Sequence, residues 1–391
     1  MTSVGSYPQN MVNQDILPPE ILQNIFSYLT TYQSTLHACT LVSNSWYKSS
    51  VPFLYNSPAI DGKTFDLFVK AICPSVNAHV RINGLAALVR KLDMSLLVHN
   101  GSKSLTARLL GRVKGNLEEF VAPQASFAVN CLAALSKCSN LRRLNLSFVS
   151  ESIAMSDLLR SASTLSKLES LHLPRSSAHD SSRDALIYSW PSKLRELHIS
   201  GGLHDESALG LSTLPRSLSY LSIGNCPHLS MLFISPLLKQ IGSQLQYLEI
   251  VAPLPGLGLG HGLLTNITDL VPNLRHLKIS LDFVGPFFFT AGESGQRECQ
   301  FLTRLDLDCF EPAECVDFSP ERIADAIVDM EGNFSKLRRL GVHRKLGWMT
   351  TKNGKEDMSE IDELLKALAR EDGPDAEISE DEAGVVFFGT R

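Results

Sequence analysis

One phrase of apolar and polar positions recurs along most of the chain: apolar-x-x-apolar-x-apolar. Clear copies are Leu141/Leu144/Leu146, Leu168/Leu171/Leu173, Leu194/Leu197/Ile199, Leu218/Leu221/Ile223, Leu245/Leu248/Ile250, Leu274/Leu277/Ile279, Leu302/Leu305/Leu307 and Leu337/Leu340/Val342. Weaker copies, Val89/Leu92/Met94 and Leu117/Phe120/Ala122, precede them. Successive copies start 28, 24, 27, 26, 24, 27, 29, 28 and 35 residues apart. The last two apolar residues of each kernel alternate with polar ones, which puts them on one face of a short strand. Between kernels, 127–135, Ser156 to Leu165 and Phe318 to Met330 carry apolar residues at helical spacing. The stretch 252–262 is rich in Pro and Gly instead, so the return segments are uneven. No single unit can bury its own apolar face. The pattern therefore predicts stacked strand-and-return units sharing one continuous core.

Residues 15–58 follow a different pattern. Ile16-Leu17-Pro18-Pro19-Glu20 opens a predicted helix whose Ile21, Leu22, Ile25, Phe26 and Leu29 form one broad stripe. Proline suits a first helical turn, where its missing N–H leaves nothing unpaired. After a polar break from Thr30 to Ser34, Leu36, Cys39, Leu41, Val42, Trp46 and Tyr47 return at helical spacing, and Val51-Pro52 predicts a helix end. Three short helices of this size enclose only a small core. Part of the stripe is then left for a partner. By position, Trp46, Leu41 and Phe26 are expected in the core.

The long repeat resembles the leucine-rich repeat over roughly residues 80–345. The position that often carries an asparagine ladder instead reads Val149, Ser176, Gly202, Cys226, Pro253, Asp282 and Phe310. Only Gly224-Asn225-Cys226-Pro227 fits the cysteine-containing variety. The N-terminal segment resembles the F-box through Leu17-Pro18, Glu20-Ile21-Leu22, Ile25, Leu29, Leu36, Val42-Ser43, Trp46 and Leu54-Tyr55. Together these imply an α/β leucine-rich-repeat solenoid, with its parallel sheet on the concave side and helices and loops on the convex side. A small all-α F-box three-helix bundle precedes it. The F-box resemblance implies docking on a Skp-family adaptor and, through it, a cullin, in an SCF-type ubiquitin ligase that this chain would serve as substrate receptor. Leu17, Pro18, Glu20, Ile21, Leu22, Ile25, Leu29, Leu36 and Val42 are the adaptor-binding residues so implied. A non-catalytic repeat scaffold using the F-box outside any ligase is the alternative.

Strand side chains between the inward leucines make the default ligand surface. One outward column reads Arg143, Ser170, Glu196, Tyr220, Tyr247, His276, Arg304 and Arg339; the next includes His172 and His198 in adjacent units. Tyr and Arg are frequent interface anchors. Arg143, His172, His198, Tyr220, Tyr247, His276, Arg304 and Arg339 are accordingly the candidate target-binding residues for an unidentified protein substrate. The Arg, His and Lys leaning of this surface, which also carries Lys278, suits an acidic or phosphorylated segment.

Composition narrows the picture. Of 391 residues, 44% are hydrophobic and 20% charged, as in a folded protein. The net charge of −5 divides unevenly. Residues 356–382 hold twelve acidic and two basic residues, a net of −10, leaving +5 elsewhere. That excess is too dilute for a nucleic-acid-binding domain. No run of 18 apolar residues suggests a membrane span, and no basic-then-apolar start suggests a secretory signal. The eight cysteines form no CxxC pair; they read as buried thiols in a cytoplasmic and/or nuclear protein. Gly256 to Gly262 fails the spacing of a phosphate loop and reads as a turn. Two imidazoles are too few for zinc, and no nucleophile, kinase or Walker signature occurs. No cofactor, metal or catalytic residue is expected. Ser359 to Ala369 reads as a helix, with Ser359 as its cap, that could cover the open end of the stack. The domain plan is thus 1–14 disordered, 15–58 F-box, 59–80 linker helix or loop, 81–345 repeats, 346–370 loop and capping helix, and 371–391 a disordered acidic tail.

Overall fold

The computed structural model describes residues 17–74, 84–98, 101–175, 177–178, 189–201, 203, 205, 213–226, 228–251, 264, 267–289, 301–310, 318–329, 334–373 and 377–389. The expectations for 1–14, for the turn at Gly256 to Gly262 and for 75–80 of the linker lie outside the described residues.

Three helices come first: α1 (Pro19–Ser27), α2 (Gln33–Cys39) and α3 (Asn44–Asn56). Pro18 caps α1, its carbonyl accepting from the N–H groups of Ile21 and Leu22. The Ser43 side chain caps α3 by accepting from the Trp46 N–H. Leu22, Phe26, Leu36 and Cys39 form a separate small core. Trp46 meets Phe26 edge to face at 5.4 Å. Helix α3 does not stop at Val51-Pro52, as the sequence suggested, but continues to Asn56. Pro52 only removes one N–H from the ladder, while Val51 is buried and Phe53 and Leu54 still pack on the small core. The helix then joins the bundle to the repeats. Tyr55 packs on the large core, and the Arg90 N–H donates to the Asn56 carbonyl. Helix α4 (Phe65–Ile72) buries Phe65, Phe68 and Ile72 in the same core.

Among the described residues, the repeats and one C-terminal strand build an eleven-stranded parallel sheet: β1 (Lys91–Asp93), β2 (Glu119–Val121), β3 (Arg143–Asn145), β4 (Ser170–His172), β5 (Glu196–Ser200), β6 (Tyr220–Gly224), β7 (Tyr247–Val251), β8 (His276–Ser280), β9 (Arg304–Asp308), β10 (Arg339–His343) and β11 (Gly384–Phe388). Strand order follows sequence order. Register is kernel on kernel: Leu144 opposite Leu171, Leu221 opposite Leu248, Leu277 opposite Leu305. One slipped residue would turn the whole inward column to solvent, so burial fixes the register. The return segments include α5 (Lys103–Val113), α6 (Val129–Leu135), α7 (Met155–Ala162), α8 (Met231–Ile241), α9 (Ile267–Leu270) and α10 (Pro320–Val328). This is the leucine-rich-repeat solenoid. Its inward leucines, among them Leu144, Leu197, Leu248 and Leu305, are fully buried in one continuous core.

A second polar ladder replaces the missing asparagines. In four units an amide side chain just before the kernel reaches back to a carbonyl of the preceding unit. Asn116 Nδ2 donates to the Ala87 carbonyl, Asn140 Nδ2 to Gly115, Gln244 Nε2 to Pro215 and Asn273 Nδ2 to Ser243, at 2.6–3.2 Å. These bonds satisfy backbone acceptors where each return segment ends. Cys226 fills the older position, its thiol buried against the Gly224 and Ile199 carbonyls.

The C-terminal end differs from the sequence plan twice. Helix α11 runs from Lys352 to Asp372, capped by Thr351 Oγ1 accepting from the Gly354 N–H, so Ser359 sits inside it. The tail is not uniformly disordered. Strand β11 pairs in parallel with β10, with Leu340 opposite Val385 and Val342 opposite Phe387. Val385 and Phe387 pack on the core. The Val385 N–H donates to Asp362 Oδ1 at 2.7 Å, tying the strand to α11. The acidic residues around it are also paired: Asp372 with Arg338, Glu377 with Arg275, Glu380 with Arg370. A short apolar run supplies the packing that composition alone conceals. Among the described residues no helix is long and apolar enough to cross a membrane.

Candidate functional site

Two surfaces stand out, one on the helical bundle and one on the open face of the sheet.

On the bundle, the apolar stripe of α1 is wider than the core it covers. Leu22 and Phe26 face inward. One step round the helix, Ile21 and Ile25 remain 46% and 43% exposed, and Leu17 39%. Pro18 and Glu20 are exposed beside them, and Leu29 is half-buried. Val42 is 61% exposed and Leu41 74%, in the turn between α2 and α3. Two expected adaptor-binding residues are therefore corrected. Leu22 and Leu36 are core, because three short helices must close on something and these point at Phe26. Leu41, expected in the core, is instead among the most exposed apolar residues. Tyr28 and Tyr32 are also exposed beside them; neither falls on the apolar stripe, and Tyr32 sits in the polar break, so the apolar period did not signal them.

The open face carries stacked rings at its centre. His172 on β4 lies parallel to His198 on β5, ring centroids 3.7 Å apart. His198 meets Tyr220 on β6 at 4.8 Å, Tyr220 stacks on Tyr247 of β7 at 3.9 Å, and Tyr247 meets His276 of β8 edge to face at 4.2 Å. Five successive strands thus contribute one run of half-buried rings. Burial pushes the His172 imidazole down to about 4, helped by the charge of His198 and opposed by Glu196. Burial also pushes His198 down. Both are neutral at pH 7. Burial and the hydrogen bond with Tyr247 push Tyr220 up, so the tyrosines stay protonated too.

Charges flank this strip in matched sets. At the β1–β3 end, Glu119 faces both Lys91, at 2.8 Å, and Arg143. Burial alone would raise Glu119, but these two cations hold its carboxyl below the ordinary range. At the other end, Asp306 accepts from Arg304 and pairs with His276 Nε2 at 2.7 Å. Burial again works against the carboxylate, and the hydrogen bonds from His276 and Arg304 outweigh it. Between them, Lys278 Nζ donates to Glu249 at 2.6 Å. Arg339 donates to the Glu382 carbonyl, and its Nε is buried with no partner among the described residues. The expected cationic surface is thus largely neutralised. Glu119, Glu249 and Asp306 were not singled out in the sequence, because their effect arises only once neighbouring strands align. The face is a neutral aromatic strip between paired charges.

Comparison with known proteins gives this geometry a setting. The family described as F-box-like matches residues 14–61. Over 336 residues, 85% of this chain, the sequence is 30% identical to F-box protein YDR306C of Saccharomyces cerevisiae. It spans 66% of that protein's length. Over 369 residues it is 27% identical to Protein pof5 of Schizosaccharomyces pombe, covering 91% of this chain and 97% of that protein. Similar solved structures include the leucine-rich repeat-containing protein LegL7 of Legionella pneumophila. That match has TM-score 0.45 and 15% identity, over 68% of this chain and 86% of that one. A second is the yeast Rad7 and Elc1 complex, at TM-score 0.44 and 17% identity, over 87% and 94%.

Proposed function

The chain carries an N-terminal F-box-like domain and is a homologue of yeast F-box proteins, and on that premise we propose that it is a substrate receptor of an SCF-type ubiquitin ligase. In this reading the helical bundle binds a Skp-family adaptor and through it a cullin, while the open face of the repeats holds the target protein. The chain performs no bond chemistry. It holds a target lysine near the ubiquitin-charged enzyme, and the gain is local concentration and orientation.

The observation that carries the reading is the division of labour within one helix. Leu22 and Phe26 close the bundle, yet Leu17, Ile21 and Ile25 stay exposed beside Val42 and Leu41. Such an apolar face on a small rimmed unit suits a partner. Leu17, Pro18, Glu20, Ile21, Ile25, Leu29 and Val42 are the proposed adaptor contacts. Arg143, His172, His198, Tyr220, Tyr247, His276, Arg304 and Arg339 are the proposed target contacts.

Co-purification tests it. The unaltered chain is expected to bring down adaptor and cullin together. Ile21→Glu with Ile25→Glu is expected to lose both by about tenfold or more, because two carboxylates would be buried unpaired at the interface. The melting temperature should hold, since both side chains are exposed. Capture of adaptor without cullin would favour a scaffold outside the ligase. Undiminished capture by the double variant would refute the assigned face.

A further inference from the structure

Beyond the open face, the last two strands end in a cavity that neither the repeat pattern nor the helical bundle accounts for. It measures about 580 Å³ and lies between the ends of β10 and β11 and the loop 344–350. Val342, Trp348, Met349 and Phe387 line it with apolar surface, and Arg344, Lys345 and His343 complete the wall. The size falls within the usual range for ligand pockets, about 300–1,000 Å³.

The loop is built rather than loose. Gly347 turns it with φ +71°, a conformation that favours glycine. The Thr350 N–H and hydroxyl both donate to the Gly347 carbonyl, and Thr351 then caps α11. The Lys345 N–H donates to His343 Nδ1 at 3.1 Å, which fixes the loop's first turn to the sheet. Trp348 packs on the core with one side and faces the cavity with the other.

Charge shows what the cavity is made for. Four cations of the neighbouring strands already have carboxylates: Arg275 with Glu377, Lys278 with Glu249, Arg304 with Asp306, Arg338 with Asp372; Arg339 of β10 meets the Glu382 carbonyl instead. Helix α11 and residues 377–382, which are strongly acidic, lie at the same end of the molecule, Ile378 packing on Ala369 and Ala383. Yet Arg344 and Lys345, both exposed, have no carboxylate partner among the described residues. Two adjacent unpaired cations beside an aromatic wall leave a complementary ligand to be supplied from outside.

We propose that this cavity binds an acidic peptide segment of the target protein, seating a bulky apolar side chain against Trp348, Met349 and Phe387 while its neighbouring carboxylates pair with Arg344 and Lys345. This rests on the substrate-receptor reading and adds the chemistry that the receptor reads. A peptide fits because Arg344 and Lys345 are exposed, where a chain can continue, and line the same cavity as Trp348, Met349 and Phe387.

The test uses the full chain and a fluorescein-labelled peptide, Gly-Asp-Glu-Phe-Gly, followed by fluorescence anisotropy. Binding should weaken about tenfold or more for Gly-Asn-Gln-Phe-Gly, for Gly-Asp-Glu-Gly-Gly and for the Arg344→Glu, Lys345→Glu double variant. It should also weaken with added salt. Equal affinity for the amide peptide, unchanged affinity in the double variant, or no binding of the first peptide would overturn the proposal. Adaptor capture is measured on the same preparations. If capture persists while the peptide fails, only the cavity assignment falls. If the unaltered chain captures no adaptor, the receptor reading falls instead.

Discussion

At the scale of single residues, the stacked imidazoles give the protein a defined response to acid. Folded, His172 resists a proton until about pH 4, whereas its ordinary value is 6.5. The unfolded chain therefore binds the proton first. Stability contributed by the neutral ring is present above 6.5 and is lost as pH falls toward 4. Asp306 and Glu119, both held below the ordinary carboxylate range, add a further loss at still lower pH. Melting curves from pH 7 to 4 should show the first decline, and His172→Gln should flatten it. An unaltered slope in the variant would refute the role of this ring. A second residue-scale contrast lies in α1. Leu22→Ala should destabilise the bundle by about 2–5 kcal/mol, as for other buried leucines, and Ile21→Ala should stay within about 0.5 kcal/mol. Circular dichroism of the two variants separates them. Sequence alone placed these neighbours on one face. The stripe is broader than the core, and only the angle at which α1 meets α2 and α3 decides which edge is covered.

At the scale of elements, the kernels were legible and the closure was not. Apolar periodicity announced β1 to β10, faintly for β1 and β2, because each strand repeats the same inward triplet. Strand β11 breaks that spacing and follows a run of carboxylates, so composition concealed it. Its signal was Val385-Val386-Phe387-Phe388, four residues of high strand propensity. The polar ladder at Asn116, Asn140, Gln244 and Asn273 stands one position ahead of four of the ten kernels, too intermittent to show as a period in the sequence. Strand β11 covers β10, whose unpaired edge would otherwise offer a template to other chains. Phe387→Asp should detach it, lower the melting temperature and raise light scattering on warming. An unchanged melt with no scattering would mean that the helix α11 alone seals the end.

At the scale of the whole molecule, the proposed adaptor face and the proposed peptide cavity sit at opposite ends of the chain and belong to different cores. Ile21→Glu with Ile25→Glu and the Arg344→Glu, Lys345→Glu pair should therefore act independently, each removing one interaction and leaving the other. The sequence conveyed this polarity of bundle first and repeats after, because each pattern is local and self-announcing. It could not convey the neutrality of the open face, since Glu119 meets Arg143, Glu249 meets Lys278 and Asp306 meets His276 across 24 to 30 positions. The kernel-on-kernel register has a metric consequence. Neighbouring strands lie about 4.8 Å apart, and an extended polypeptide advances about 3.3 Å per residue. A chain laid across the rungs thus comes back into step with the sheet after every third residue, having crossed two strands. The row of rings from His172 to His276 is in effect a measuring scale, and a motif with triplet periodicity would meet it at the same phase from end to end.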